Sequence, residues 1–221
     1  MSNLDEENEN LAAALDDLPI FPLPSVVLFP RALLPLHIFE PRYRAMLDHC
    51  MKTHRAMAVS LIADPNDKDA NGEPRFAPIA GVGIIIEHQP LSDGRSNILL
   101  HGRARVELAP RPGDGPFRRA RATIRADVRT PVLAADRSAL ISAATAVAGE
   151  LHKRDDFSFA LPSNAEIDAL ADLCAQHLVL DPKTRQALLE ERDVAQRVRA
   201  VIAELALQHR AMIGKAGGPL S

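Results

Sequence analysis

Apolar and polar positions follow three rhythms along this chain, and the rhythm changes twice. Residues 18–43 (LPIFPLPSVVLFPRALLPLHIFEPRY) thread apolar side chains between six prolines at 19, 22, 24, 30, 35 and 41. Proline lacks an N–H and fixes φ, so this run is neither a helix interior nor a central strand. The residue before each proline is pushed toward extended geometry. The pattern predicts short extended segments wrapping a core, then a helix opened by Pro41. Tyr43, Met46, Leu47, Cys50 and Met51 follow helical spacing after it.

A β rhythm comes next. Ala56 to Ile62 reads as a buried strand. Ile79 to His88 is apolar and rich in β-branched residues, with Gly81 and Gly83 marking a bend or bulge. The turn Ser92-Asp93-Gly94-Arg95 joins it to a strand over Asn97–Leu108, the strongest hairpin signal in the chain. Polar loops are expected at 64–74 and 110–116. From Arg119 to Val128 the alternation is strict. Ala120, Ala122, Ile124, Ala126 and Val128 share one face, and Arg119, Arg121, Thr123, Arg125 and Asp127 share the other. That is a half-buried strand with a basic outer face.

After Thr130-Pro131 the period becomes helical. Asp136 to Lys153 is alanine-rich. Ser163 with Glu166 fits a capping box for a helix carrying Ile167, Leu170, Cys174 and Leu178. Asp181-Pro182 opens a short helix to Glu190. Asp193 caps a last helix whose Val194, Val198, Val201, Leu205 and Met212 recur near a 3.5-residue period, as intramolecular core or, less favoured, a weak homo-oligomer seam. The expected class is α+β: an acidic disordered or loosely helical leader (1–17), a β-rich domain (18–130), an α-helical bundle (131–213) and a disordered tail (214–221).

Composition sets the outer bounds. The chain has 221 residues, enough for one large or two small domains, with 47% hydrophobic and 25% charged residues. No apolar run approaches the roughly 20 residues that span a bilayer. The acidic amino terminus does not read as a signal peptide, so a cytoplasmic place and no membrane are expected. Cys50 and Cys174 are then expected to be buried, reduced thiols. The net charge of −3 is uneven. Residues 1–17 carry six acids and no base, while residues 18–131 carry 16 basic and 11 acidic side chains. Nine arginines fall within 95–129 against Glu107, Asp114 and Asp127.

Those arginines are the main candidate chemistry. Arg103, Arg105, Arg119, Arg121 and Arg125 are candidate polyanion contacts, since guanidinium suits phosphate. Interleaved aromatics that stack single-stranded bases are absent from that face. The favoured reading is a solvated strand face paired with the acidic helical domain or the leader, ahead of a charged partner protein and then of nucleic acid. Gly81-x-Gly83 lacks the third glycine of a dinucleotide loop, since Ile86 stands there. His49, Cys50 and His54 lack a second ligand pair, so Cys50 is read as core and no metal is expected. No cofactor is called for.

The proline-rich start also resembles the amino-terminal domain of Lon protease. The resemblance rests on Pro22-Leu23-Pro24, Val27-Leu28-Phe29-Pro30 and Phe39-Glu40-Pro41-Arg42-Tyr43. Asp93-Gly94-Arg95 with Leu99 to Arg105, and Asp181 to Glu190, are similar to later family segments, and the order of elements agrees over nearly the full length. The resemblance implies a β-rich, PUA-like pseudobarrel followed by helices. It also implies recognition of unfolded or tagged polypeptides through an apolar groove, for which Phe21, Leu33, Leu34, Phe39, Glu40, Arg42 and Tyr43 are the candidates, with Phe39 packing on Tyr43. PUA-like folds include RNA binders, which keeps the arginine alternative open. The 221 residues contain no glycine-rich loop ending in Gly-Lys-Ser/Thr, since the only Gly-Lys, at 214–215, is followed by Ala216. No lysine lies in a segment like the family's protease. The expectation is a stand-alone, non-enzymatic binder of polypeptide segments, an adaptor in protein quality control, with an RNA- or polyanion-binding module as the alternative.

Overall fold

A computed structural model describes residues 3–69, 72–111, 115–153 and 157–216, and of these the side chains of 9–69, 72–111, 115–153 and 157–214. They divide into two units between Ala126 and Asp127.

In the first unit the prolines of residues 18–43 dictate where strands can pair. Strand β1 (Leu18–Pro24) runs parallel to β3 (Ala56–Ile62) over Ile20–Pro24. It pairs with β6 (Arg119–Ile124) only at Leu18 and Pro19. Pro22 and Pro24 thus lie where that side of β1 needs no donor. Strand β2 (Leu33–Ile38), which carries Pro35, is a terminal strand of the sheet. Its neighbour is the first part of the 16-residue β5 (Ser96–Arg111). The second part of β5 pairs with β6, and β4 (Ile79–Pro90) joins β5 to β3. The order β2-β5-β4-β3-β1-β6 with the extra β5–β6 pairing closes β5, β4, β3, β1 and β6 into a barrel that leaves β2 outside the ring. Helix α2 (Pro41–Lys52) starts at Pro41 and buries Tyr43, Met46, Leu47 and Cys50. The 4–5 hairpin turns at Gly94, whose φ of 80° explains the glycine there.

Val27, Leu28 and Phe29 are at most 1% exposed. The loop that carries them presses its backbone onto two glycines, Gly81 and Gly102. A Cβ on Gly81 would collide with the Leu28 carbonyl oxygen, and one on Gly102 with that of Phe29. A Cβ on Gly83 would sit 2.7 Å from the Leu100 side chain. Gly81 and Gly83 therefore mark a close approach of backbone as well as the register shift at Val82/Gly83.

Two expectations change here. The leader is not disordered over 3–17: Asn3–Ala14 form helix α1, and Leu15–Asp17 a 3-10 turn. Leu11 and Ala14 are buried with Leu18, Ile20, Val82 and Val106, and this apolar contact outweighs the solvation of the acids. Residues 1 and 2 lie outside the described residues. The strand expected over Arg119–Val128 stops at Ile124: one further bond, from the Arg125 N–H to the Arg105 carbonyl, follows the last ladder pair, and Val128 bridges to Asp193 instead. Ile124 and Val128 are each 46% exposed. Of the loop at 110–116, residues 112–114 lie outside the described residues.

The second unit holds α3 (Ala134–His152), α4 (Ile167–Leu178), α5 (Pro182–Glu190) and α6 (Val194–Ala216). The stripe Val194, Val198, Val201, Leu205 and Met212 is buried, and α6 packs against the other three helices. At its centre Arg197 is fully buried, with Nη2 2.7 Å from Asp127 Oδ2 and Nε 3.0 Å from Asp172 Oδ1. Asp181 accepts the Thr184 N–H at 2.7 Å and Asp193 that of Gln196 at 2.9 Å, so both act as helix caps. Ser163 does not cap α4. Glu166 occupies the cap position with no side-chain bond, because the helix begins at Ile167. Helix α6 continues through Gly214 to Ala216 where a disordered tail is expected, and 217–221 lie outside the described residues. No helix among the described residues is long and apolar enough to cross a membrane.

Candidate functional site

A cleft of about 860 Å³ opens on the first unit. Pro22 lines it, in the part of β1 beyond its short pairing with β6. Helix α2 contributes Arg42 and Tyr43, the loop before β4 contributes Phe76 and Pro78, and the run into β6 contributes Phe117, Arg118 and Arg119. Three guanidinium groups lie over three rings: Arg42 over Tyr43 at 4.6 Å, Arg118 over Phe76 at 5.2 Å and Arg119 over Phe117 at 4.8 Å. Flat cations on aromatic faces make a wall that is apolar in depth and cationic at its rim.

Carboxylates hold those arginines. Arg42 sits 3.0 Å from Glu40 and 3.3 Å from Glu73. Arg118 is 3.2 Å from Asp69, and Arg119 is 2.6 Å from Asp17. Tyr43 is anchored from below by Phe21, with ring centroids 4.5 Å apart. Burial pushes its phenol above the ordinary range. His49 packs on Phe117 at 5.6 Å, and burial together with nearby Arg119 holds its imidazole below the ordinary value. Among the described lining residues there is no serine, threonine, cysteine, lysine or histidine. Asp17, Asp69 and Glu73 all face arginines. The described wall offers stacking surface and hydrogen-bond donors.

The residues singled out from the sequence separate into three groups. Arg42, Tyr43 and Arg119 meet in the cleft. Leu33 and Phe39 are 49% and 58% exposed on and beside β2, with Leu34 half-buried. Phe39 stacks on His37 at 6.0 Å and Tyr43 on Phe21, so the expected Phe39–Tyr43 contact is replaced. Phe21 is 4% exposed and buried Tyr43 shows the cleft only part of its surface. The arginine face is largely spoken for. Arg105 is buried, with its guanidinium 5.8 Å from the ring of Phe29, in the loop that packs on β4 and β5. Arg119, Arg121 and Arg125 pair with Asp17, Asp16 and Glu107 at 2.6, 3.3 and 2.9 Å, and Arg103 is half-buried. Sequence reading missed Phe76, Phe117 and Arg118. An aromatic beside a basic residue at Phe117-Arg118-Arg119 was the available signal.

Cys50 is a buried thiol that donates to the Ala56 carbonyl at 3.3 Å, and burial pushes it up to about 12. The described residues contain no group of three or more His, Cys, Asp or Glu placed to hold a metal. A second depression of about 470 Å³ in the helical unit, lined by Phe157, Phe159 and Leu161 among others, includes none of the residues singled out above.

Comparison with known proteins gives a consistent result. The family described as the ATP-dependent protease La (LON) substrate-binding domain matches residues 17–206. The Lon protease of Roseiflexus castenholzii is 29% identical over 198 residues, 85% of this chain and 24% of that protein. A LON peptidase N-terminal domain and RING finger protein of Schizosaccharomyces pombe is 33% identical over 112 residues, 46% of this chain and 23% of that protein. The chain thus spans about a quarter of the length of the curated relatives it matches. A crystal structure of a Lon N-terminal domain protein from Xanthomonas campestris superposes with a TM-score of 0.62 at 24% identity, covering 85% of this chain and 97% of that one. The N-terminal domain of Mycobacterium avium complex Lon protease gives 0.62 at 16% identity, covering 86% and 98%.

Proposed function

The chain belongs to the LON substrate-binding domain family, and from that premise we propose that it is a non-enzymatic module binding unfolded or exposed polypeptide segments, an adaptor in protein quality control. The observation that carries the reading is the cleft, where Arg42, Arg118 and Arg119 lie on the rings of Tyr43, Phe76 and Phe117. Apolar side chains of an unfolded segment fit against such rings. The guanidinium rims donate to main-chain carbonyls without needing a defined sequence. Leu33 and Phe39 add exposed apolar surface outside the cleft. The polyanion alternative is less supported, since Arg105 is buried and no aromatic rings interleave Arg121 and Arg125 on the strand face.

The test is binding of fluorescein-labelled, reduced and carboxymethylated α-lactalbumin by anisotropy, with the native, disulfide-bonded form as comparison. The expected result is selective binding of the unfolded form, unchanged by ATP and leaving the probe intact. Phe117→Ala with Arg118→Ala should weaken it about tenfold, the effect of losing roughly 1.4 kcal/mol. Equal affinity for native and unfolded probe would defeat the proposal. Tighter binding of a single-stranded RNA, lost steeply with added salt, would move the function to the arginine face.

A further inference from the structure

β2 has a hydrogen-bonding edge that nothing among the described residues occupies. It pairs with β5 on one side only and ends the strand order. The direction of its backbone groups follows from the bonds at its start. Gly102 donates to the Ala32 carbonyl at 2.8 Å, and Arg31 donates to Gly102 at 2.7 Å. Antiparallel ladders alternate bonded and non-bonded pairs. Ala32 being bonded, Leu34, Leu36 and Ile38 turn their groups toward β5, while Leu33, Pro35 and His37 turn theirs away. Pro35 fits this assignment, since its missing N–H falls on the outward side. The open edge therefore presents the N–H and C=O of Leu33 and His37 and the C=O of Pro35.

Its side chains define what it suits. Residues 33–38 (LLPLHI) carry no acidic or basic group beyond the imidazole, so the edge lacks the charges that usually deter strand addition. Leu33 is 49% exposed, and just beyond the strand Phe39 is 58% exposed and stacks on His37. An incoming strand would meet exposed apolar surface at both ends of β2.

We propose that this edge takes an extended, uncharged or apolar segment of a partner polypeptide as an added strand. The inference rests on the protein-binding reading above and names the backbone route by which a segment of no fixed sequence is held. Pro35 argues for a foreign segment over a second copy of this chain. In two-fold pairing of β2 with itself, centred on the strand, Pro35 faces Pro35, and the central pair yields no hydrogen bond. A foreign residue in that place still donates to the Pro35 carbonyl.

Residue-resolved amide exchange by NMR tests this on the full chain, with and without saturating carboxymethylated α-lactalbumin. The expected result is slowing of the Leu33 and His37 amides by at least about tenfold, with Leu34, Leu36 and Ile38 already protected. His37→Pro removes one outward donor and should weaken binding roughly five- to tenfold, while His37→Ala changes it little. Saturable binding with unchanged Leu33 and His37 amides overturns the edge proposal and leaves the protein-binding reading standing. Slowing of those amides by raised protein concentration alone overturns it in favour of a second copy. Absence of any binding removes both.

Discussion

The two units solve the problem of a single interior in opposite ways. In the barrel unit, a loop backbone is driven against glycines: Leu28 and Phe29 carbonyls lie where side chains of Gly81 and Gly102 would be. In the helical unit, Gly149 has nothing within 4 Å of an added Cβ, and the interior instead holds a fully buried arginine between Asp127 and Asp172. One interior depends on the absence of atoms, the other on the presence of charge. The same substitution should thus have opposite signs in the two units.

The largest expected effect is Arg197→Ala. It removes the guanidinium that Asp172, 1% exposed, and the half-buried Asp127 both face, and should cost about 3–5 kcal/mol. Urea unfolding monitored through exchange protection of α4 and α6 reads this; a loss under about 1 kcal/mol would mean the pair is not the organising contact. Gly102→Ala comes next. Its methyl meets a carbonyl oxygen of the chain, not a flexible side-chain tip, so a loss of about 3 kcal/mol is expected, read from protection of β4 and β5. If the variant is as stable as the parent, the loop is not pressed on the strand. Gly149→Ala in α3 should instead gain about 0.5–1 kcal/mol from helix propensity, and a destabilised variant would end the contrast.

The smallest effect is electrostatic. Asp181 is held below the ordinary carboxyl range by the hydroxyl and N–H of Thr184, and Asp193 by the Thr130 hydroxyl and the Gln196 N–H. Because the folded values are depressed, this stabilisation is complete above the unfolded value of about 3.9 and fades as pH falls below it. The first-turn amides Thr184 and Gln196 should exchange faster, relative to intrinsic rates, at pH 3 than at pH 6. Asp181→Asn should remove most of that difference at Thr184. No change in the wild type between the two pH values would show that the caps contribute little.

Much of the fold was legible. β3 matches the expected Ala56–Ile62, and Pro41, Asp181 and Asp193 open helices where local chemistry says they should. Where reading stopped short, a distant partner decided. Val128 follows the strand alternation, but the ladder to β5 ends at the Val106–Ile124 pair, and Val128 bridges to Asp193 instead. The leader looks soluble by charge, yet Leu11 and Ala14 find a core. The cleft was half visible: the proline-helix motif pointed to Arg42 and Tyr43, but Phe76 and Phe117 join them from segments more than 30 and 70 residues away.

The sequence by itself determined the order of strands and helices, the proline-limited pairing of residues 18–43 and the lack of a phosphate-cradling loop within these residues. These depend on neighbours within a few positions, where backbone stereochemistry and periodicity act directly. Only the tertiary structure decided that Gly81 and Gly102 receive one loop, that Asp16 and Asp17 meet the arginine face, and that Phe21 and Tyr43 are buried while Leu33 and Phe39 remain exposed. Those outcomes are contacts between segments far apart in the chain. A residue's type says what contact it can make, but only the packed fold says which partner arrives.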